Sequence, residues 1–133
     1  MSVSIRQLKD VEYSEMLKLM YRVFPRADIR IQNQDRILVA NAQGALVGFV
    51  HYSFLGDKAI VKGFGVEGNT RGVGIGSMLI ERVLKIFESV GVPVYLKVKS
   101  FNPAISLYLK MGFFIAKIDE INGVTTLVKR CNT

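Results

Sequence analysis

The run Arg71-Gly72-Val73-Gly74-Ile75-Gly76 lies between an apolar stretch, Ala59 to Val66, and an amphipathic one, Ile75 to Val90. Where a strand passes through glycine-rich backbone into a helix start, several N–H groups are left unpaired and point the same way. The positive end of the helix dipole reinforces them, so the arrangement suits a phosphate or pyrophosphate. Glycine lets ligand oxygens approach backbone that a Cβ would keep at a distance, and it tolerates positive φ. Arg71 adds a cation at the mouth of the loop. A glycine-rich turn with no ligand is the plainer alternative, but three glycines at alternate positions before a well-formed helix argue against it.

Two familiar phosphate loops do not fit. A nucleoside-triphosphate loop needs Lys and Ser/Thr after its last glycine, and no Lys follows Gly76. A dinucleotide fingerprint needs glycine where Ser77 stands, and an acid at the end of the next strand. That strand reads Pro93-Val94-Tyr95-Leu96-Lys97-Val98-Lys99, with lysines instead. What the loop resembles is the acyl-coenzyme A loop of the GNAT N-acetyltransferase superfamily, Gln/Arg-x-x-Gly-x-Gly/Ala, through Arg71, Gly74 and Gly76. Asn102-Pro103-Ala104 through Tyr108 to Gly112-Phe113 resembles that family's second hallmark, Asn-x-x-Ala-x-x-x-Tyr-x-x-x-Gly-Phe.

The resemblance implies an acetyl-coenzyme A dependent N-acetyltransferase. A primary amine would attack the thioester directly, through a tetrahedral intermediate and without a covalent enzyme intermediate or a metal. It implies a cofactor site made of Phe64, Gly65 and Val66 along the pantetheine arm, and Arg71, Gly72, Val73, Gly74, Ile75, Gly76 and Ser77 around the pyrophosphate. Asn102 and Tyr108 complete it. The Val66 N–H takes the role of oxyanion donor, and Tyr108 that of general acid to the leaving thiolate, whose acid has a pKa near 8.5. Taken alone, Tyr108 at helical spacing reads as core, Asn102 as an ordinary helix cap and Val66 as a strand residue. No base stands out. Some ribosomal-protein N-terminal acetyltransferases carry a glutamate where this chain has Lys97. Glu67, Asp57 and His51 read as surface or turn residues, which leaves a chain of waters.

Without a visible base, an α-amine with a pKa near 7.8 is a better acceptor than a lysine near 10.4, of which only about one in a thousand is neutral at pH 7.4. The formal charge of +7 also disfavours polycationic acceptors. The expected acceptor is therefore a protein or peptide N-terminus, or a small-molecule amine of low pKa. A non-catalytic acyl-coenzyme A sensor is the alternative; it would keep the loop but need no proton donor.

The 133 residues make one domain, residues 1–133. No apolar run approaches the roughly 18 residues that span a bilayer, and no secretory signal pattern opens the chain, so neither membrane nor export is expected. Cys131 is the lone cysteine, which fits a reducing, cytoplasmic setting. The basic residues are dispersed, arguing against specific nucleic-acid binding. Monomer and homodimer both stay open.

The elements that position these residues follow from periodicity. Val3 to Leu8 alternates as a strand. Asp10 is placed to cap a helix with Tyr13, Met16, Leu17, Met20 and Phe24 on its inner face, stopped by Pro25. Residues 26–34 hold at most a short helix. Strands Arg36–Asn41, Ala45–Phe54 and Ala59–Val66 form a meander. The helix after the glycine loop buries Ile75, Leu79, Val83, Phe87 and Val90, and Gly91 ends it. A strand from Pro93 to Lys99 precedes a helix capped by Asn102, with Pro103 at its first position. Phe113–Glu120 and Val124–Lys129 form a hairpin across Asn122-Gly123. The fold class expected is mixed α/β (α+β): a largely antiparallel, six- to seven-stranded sheet flanked by helices, in the order β-α-(short α)-β-β-β-α-β-α-β-β.

Overall fold

The protein is described here by a computed structural model covering residues 2–70 and 72–131. Arg71 lies outside the described residues. The chain runs β1 (Val3–Gln7), a 3-10 turn (Asp10–Glu12), α1 (Tyr13–Val23), β2 (Arg36–Ala42), β3 (Ala45–Leu55) and β4 (Lys58–Val66). A second 3-10 turn (Gly68–Thr70) leads to α2 (Ile75–Val90), β5 (Val94–Lys99), α3 (Ala104–Lys110), β6 (Phe114–Asp119) and β7 (Val124–Lys129). The seven strands form one sheet in the order β1-β2-β3-β4-β5-β7-β6. All neighbours are antiparallel except β4 and β5, which is the sheet class expected from the sequence.

Both faces of the central strands are covered, so their side chains sort into two cores by alternation, which shifts phase at the irregularities of the β2–β3 and β3–β4 ladders. On β2, Ile37 and Val39 face α1 and pack with Met16, Leu19, Met20, Leu46 and Phe49. Leu38 and Ala40 face the other way, into the larger core built on Leu79, Ile80, Val83 and Phe87 of α2.

Several boundaries differ from expectation. Lys9, not Asp10, caps the first turn: its N–H donates to the Glu12 carboxylate at 2.9 Å, and Arg6 closes on the same carboxylate with two bonds of 2.8 Å. This 3-10 turn rotates the start of α1, so Tyr13 is turned outward and Leu19 inward. Phe24 lies just past the helix end and stays partly exposed. Residues 26–34 contain no helix; three of those nine positions are arginine or aspartate, and the segment is held instead by Asp35 accepting from the Gln32 N–H. Val90 on the last turn of α2 is more than half exposed, because the helix has by then run past the sheet. In the last hairpin only Gly123 takes a positive φ, +66°. Asn122 does not, and is tied to Asp119 by two bonds.

One close approach fixes the end of α1 against β4. A Cβ on Gly65 would lie 2.7 Å from Val23 Cγ1 and 3.1 Å from both Phe24 and Phe49, whereas a Cβ on Gly63 would meet nothing nearer than 3.5 Å. Gly65→Ala should therefore destabilise the fold by about 1–3 kcal/mol, the usual cost of overpacking, and Gly63→Ala by much less. Urea denaturation of the two variants checks this; equal losses would contradict it.

Candidate active site

The site originates in the backbone. On β3 and β4, His51 pairs with Gly63 and Tyr52 with Val61, which leaves Lys62 as an extra residue. Such a bulge bends its strand and sharpens the local twist. Beyond it, β4 and β5 part. Their parallel ladder holds only Ala59–Val94, Ile60–Tyr95 and Val61–Leu96, although β4 continues to Val66 and β5 to Lys99. Because Glu67 N–H bonds across to the Val47 carbonyl, antiparallel alternation points the peptide groups of Phe64 and Val66 away from β3, toward the gap.

A cleft of about 1080 Å³ occupies this gap, at the upper end of ordinary ligand sites (about 300–1,000 Å³). It passes from one face of the sheet to the other. Met20, Phe49 and His51 line it on the α1 face, and Phe64, Ile75 and Tyr108 on the face of α2 and α3. Of the residues singled out from the sequence, Phe64, Gly65, Val66, Gly72, Gly74, Ile75, Gly76, Ser77, Asn102 and Tyr108 all border it. Val73 does not: it points into solvent, 59% exposed.

At one end stands the start of α2. The first intrahelical bond runs from the Met78 N–H to the Gly74 carbonyl, so the N–H groups of Ile75, Gly76 and Ser77 precede the helical ladder and are open to a ligand. Gly74 caps the helix in the left-handed region at φ +84°, and a Cβ there would project into empty space. Backbone donors, open space above them and a helix dipole together make an anion cradle.

Along the side lie α3 and the turn before it. Asn102 Oδ1 accepts the Ala104 N–H at 2.9 Å, the capping role expected of it, and its Nδ2 group remains available as a donor toward the cleft. Tyr108 is almost fully buried, packed edge-on against Phe113 and tilted against Phe64. Burial pushes its phenol above the ordinary value of 10, with no charge or hydrogen bond opposing it. The hydroxyl therefore stays protonated at neutral pH.

The far end holds a cluster that the sequence reading missed. His51 is buried on the α1 face, not at the surface. Its Nε2 lies 2.7 Å from Asp35 Oδ2, and the Lys62 Nζ lies 2.9 Å from Asp35 Oδ1, with the Asp35 side chain fully buried. Burial works to raise the Asp35 pKa, but the bonds from Lys62, the Gln32 N–H and His51 outweigh it and hold it at about 2. An ionised carboxylate only accepts, so His51 Nε2 carries the hydrogen and donates it, and Nδ1 keeps the lone pair. Among the described residues the one fully buried, unpartnered polar side-chain atom is Ser53 Oγ; the ring nitrogen of His51 that is engaged is Nε2, and the residue borders the cleft. The available signal was a lone histidine inside an apolar strand. Its partner Asp35 comes from a loop whose course no periodicity reveals. Glu67, by contrast, is bound to Arg22 at 2.6 Å, and neither it nor Asp57 borders the cleft.

A model of the acetyltransferase (GNAT) family matches residues 3–113. No curated protein matches the sequence. Among solved structures, the chain is similar to the PaiA N-acetyltransferase of Thermoplasma acidophilum in complex with coenzyme A (19% identity, 98% of this chain and 99% of that one, TM-score 0.84). It is similar to the ribosomal-protein-S18-alanine N-acetyltransferase of Escherichia coli (17%, 99% and 96%, TM-score 0.86). Arabidopsis thaliana Naa50, in complex with the bisubstrate analogue CoA-Ac-MVNAL, is a third (23%, 97% and 99%, TM-score 0.79). At these identities the likeness speaks for the fold.

The Asp35 cluster also governs acid stability. Asp35 and Glu12 are both held near 2, below their ordinary 3.8 and 4.5. A depressed carboxylate stabilises the fold above its unfolded pKa, and that contribution is lost as pH falls through the folded one. Melting temperature should therefore drop between about pH 4.5 and 2, and drop less steeply in Asp35→Asn, which starts lower at pH 7. Parallel curves for the two proteins would contradict the assignment.

Proposed function

We propose, from the premise that the chain belongs to the acetyltransferase (GNAT) family, that it moves an acetyl group from acetyl-CoA to a primary amine. The acceptor we assign is the α-amine of a protein or peptide N-terminus, or a small-molecule amine of similarly low pKa. The observation that carries this reading is the gap between β4 and β5, with an anion cradle at one end and paired polar side chains at the other. A nucleotide-bearing thioester is long, with phosphates at one end and its reactive carbon at the other. The residues present fit it: open glycine backbone suits the pyrophosphate, and two splayed strand edges suit an arm with amides.

Bound acetyl-CoA supplies an acetyl group already activated as a thioester. The chain's own contribution is binding, orientation and charge. The N–H groups of Gly74 to Ser77 hold the pyrophosphate, and we keep Arg71 as a cation beside it. Phe64, Gly65 and Val66 present strand backbone to the pantetheine amides, with Asn102 Nδ2 donating from the other side. The Val66 N–H is the donor we assign to the oxygen where negative charge develops, a fixed dipole that needs no reorganisation. Tyr108 donates to the leaving sulphur. Because burial holds its phenol above 10 and a thiol sits near 8.5, full transfer from tyrosine to thiolate is uphill. Its contribution is a hydrogen bond that strengthens as charge builds, with solvent delivering the proton in the end.

The lining supports the acceptor class. Arg30, Lys62, Lys97 and Lys99 border the cleft against Asp28 alone among the acids, and Asp28 is paired with Arg30. A polyamine or lysine-rich tail meets like charge there, whereas a lone α-amine near a carboxylate or peptide carbonyl does not. The ribosomal-protein-alanine enzyme and the peptide-bearing analogue complex among the similar structures make an N-terminal acceptor a sound first choice.

Two experiments test the reading. Gly74→Asn keeps a residue type that tolerates positive φ while placing a side chain over the cradle. Acetyl-CoA affinity by calorimetry should fall at least tenfold with the melting temperature little changed; unchanged affinity would remove the cradle from the site. In a competition at pH 7.5, a peptide with a free N-terminus and blocked lysine should be acetylated ahead of its converse. Tyr108→Phe should slow that reaction by up to about 10²–10³-fold, as loss of one donor to developing charge does, without weakening coenzyme binding. Preference for the lysine peptide, or full turnover in Tyr108→Phe, would contradict the acceptor or the donor respectively.

A further inference from the structure

The cleft has two chemically different walls. Tyr108 stands on the face of α2 and α3, His51 on the face of α1. An acid on one side of a reacting carbon and a base on the other is what amine acylation needs. An ammonium acceptor must give up one proton to attack and a second as the amide forms. One of these ends on the sulphur; the other needs a separate exit.

Resting on the acetyl-transfer reading above, we propose that His51 is the general base of this protein, taking the acceptor's first proton on Nδ1 through a bridging water, and that Asp35 is the positioning residue that orients it. The geometry is specific. Asp35 fixes the tautomer from a fully buried position 2.7 Å away, and Lys62 holds the other carboxylate oxygen at 2.9 Å. The carboxylate is thus locked by two partners and cannot swing away from the ring. Opposite His51 on β4 is Gly63, and both border the cleft; a Cβ on Gly63 would meet Phe49 at 3.5 Å and His51 Cβ at 3.7 Å. Gly63 precedes Val66 by three residues, about 10 Å along a strand. That span is too long for direct transfer and right for one or two waters.

The proton balance closes. The ammonium passes one proton by water to Nδ1, and the imidazolium so formed keeps its Nε2–H on Asp35. The neutral amine then adds to the thioester carbon, forming the C–N bond and placing charge on the carbonyl oxygen, and the tetrahedral adduct collapses by breaking the C–S bond. The second amine proton goes to the thiolate by way of solvent, and His51 returns its proton to bulk water. An α-ammonium near 7.8 gives up its proton to a base more readily than a lysine near 10.4 does, by about 2.6 pH units. The base therefore selects the same acceptor class that the basic lining selects.

The charged groups that act on His51 are Asp35 from the loop before β2, Lys62 from β4, and across the cleft Asp28, Arg30, Lys97 and Lys99. Asp35→Asn removes the anion that orients the ring. Lys62→Gln removes the cation on the other carboxylate oxygen but keeps a donor to it, so the buried carboxylate retains a partner.

His51 is the chain's single histidine, so its titration and tautomer are read directly by ¹⁵N NMR of the imidazole. The expected result is an Nε2–H tautomer in the wild-type protein, kept in Lys62→Gln, and a mixture of tautomers in Asp35→Asn, whose amide can accept or donate. With acetyl-CoA and a free-N-terminus peptide, His51→Gln should cut kcat/KM at pH 7 by about 10²–10⁴-fold. Coenzyme affinity should be unchanged, and the deficit should shrink as pH passes the acceptor's pKa. An Nδ1–H tautomer in the wild type, or full activity in His51→Gln, overturns the base while leaving acetyl transfer standing. Failure of the wild-type protein to acetylate any amine overturns both.

Discussion

Everything functional in this molecule depends on one backbone event: the ladder between β4 and β5 ends after three pairs. A continuous parallel pairing would seal the sheet and leave no cleft beside the start of α2. The cause is local. Lys62 is the extra residue of a bulge, and the added twist carries the rest of β4 away from its neighbour. The divergence leaves a cleft that pierces the sheet, so that groups on opposite faces meet in one space.

The same bulge sets the electrostatics. Lys62 reaches Asp35 because it is the bulged residue, and Asp35 reaches His51 because the loop of residues 24–35 returns across the α1 face. A carboxylate this deeply buried is stable only with partners that compensate for lost water; it has two side chains and a backbone N–H. The cluster thereby links the fold's acid stability to the end of the cleft that His51 lines. Tyr108 reports the opposite case: a neutral phenol, buried without compensation, that stays a donor across the physiological range.

The elements that announce themselves by repetition and punctuation were legible in the sequence. The strand alternation and the Gly74 and Gly91 boundaries of α2 reappear in the structure, because each is decided by the residues within one or two turns of it. The start of α3 is one residue later than the Asn-Pro pair suggests: Pro103 takes the cap position, and Asn102 Oδ1 accepts the Ala104 N–H. What could not be read depends on contacts between distant segments. The rotation of α1 follows from Glu12 binding back to Arg6 and Lys9, which favours a 3-10 entry and turns Tyr13 outward. The histidine could be seen but not valued, since its worth comes from Asp35, sixteen residues earlier in a loop without periodicity. The bulge at Lys62 is likewise invisible in a run that alternates normally on either side.

The account's central claim is that the divergence of β4 from β5 is the cosubstrate site. Amide hydrogen exchange of the protein with and without acetyl-CoA tests it most directly. The prediction is that added protection falls on residues 63–66 of β4, on residues 72–77 and on residues 97–102, and leaves β1, β2 and β6 unchanged. Protection that spares the β4 edge, or that appears on the exposed β6 instead, would contradict it.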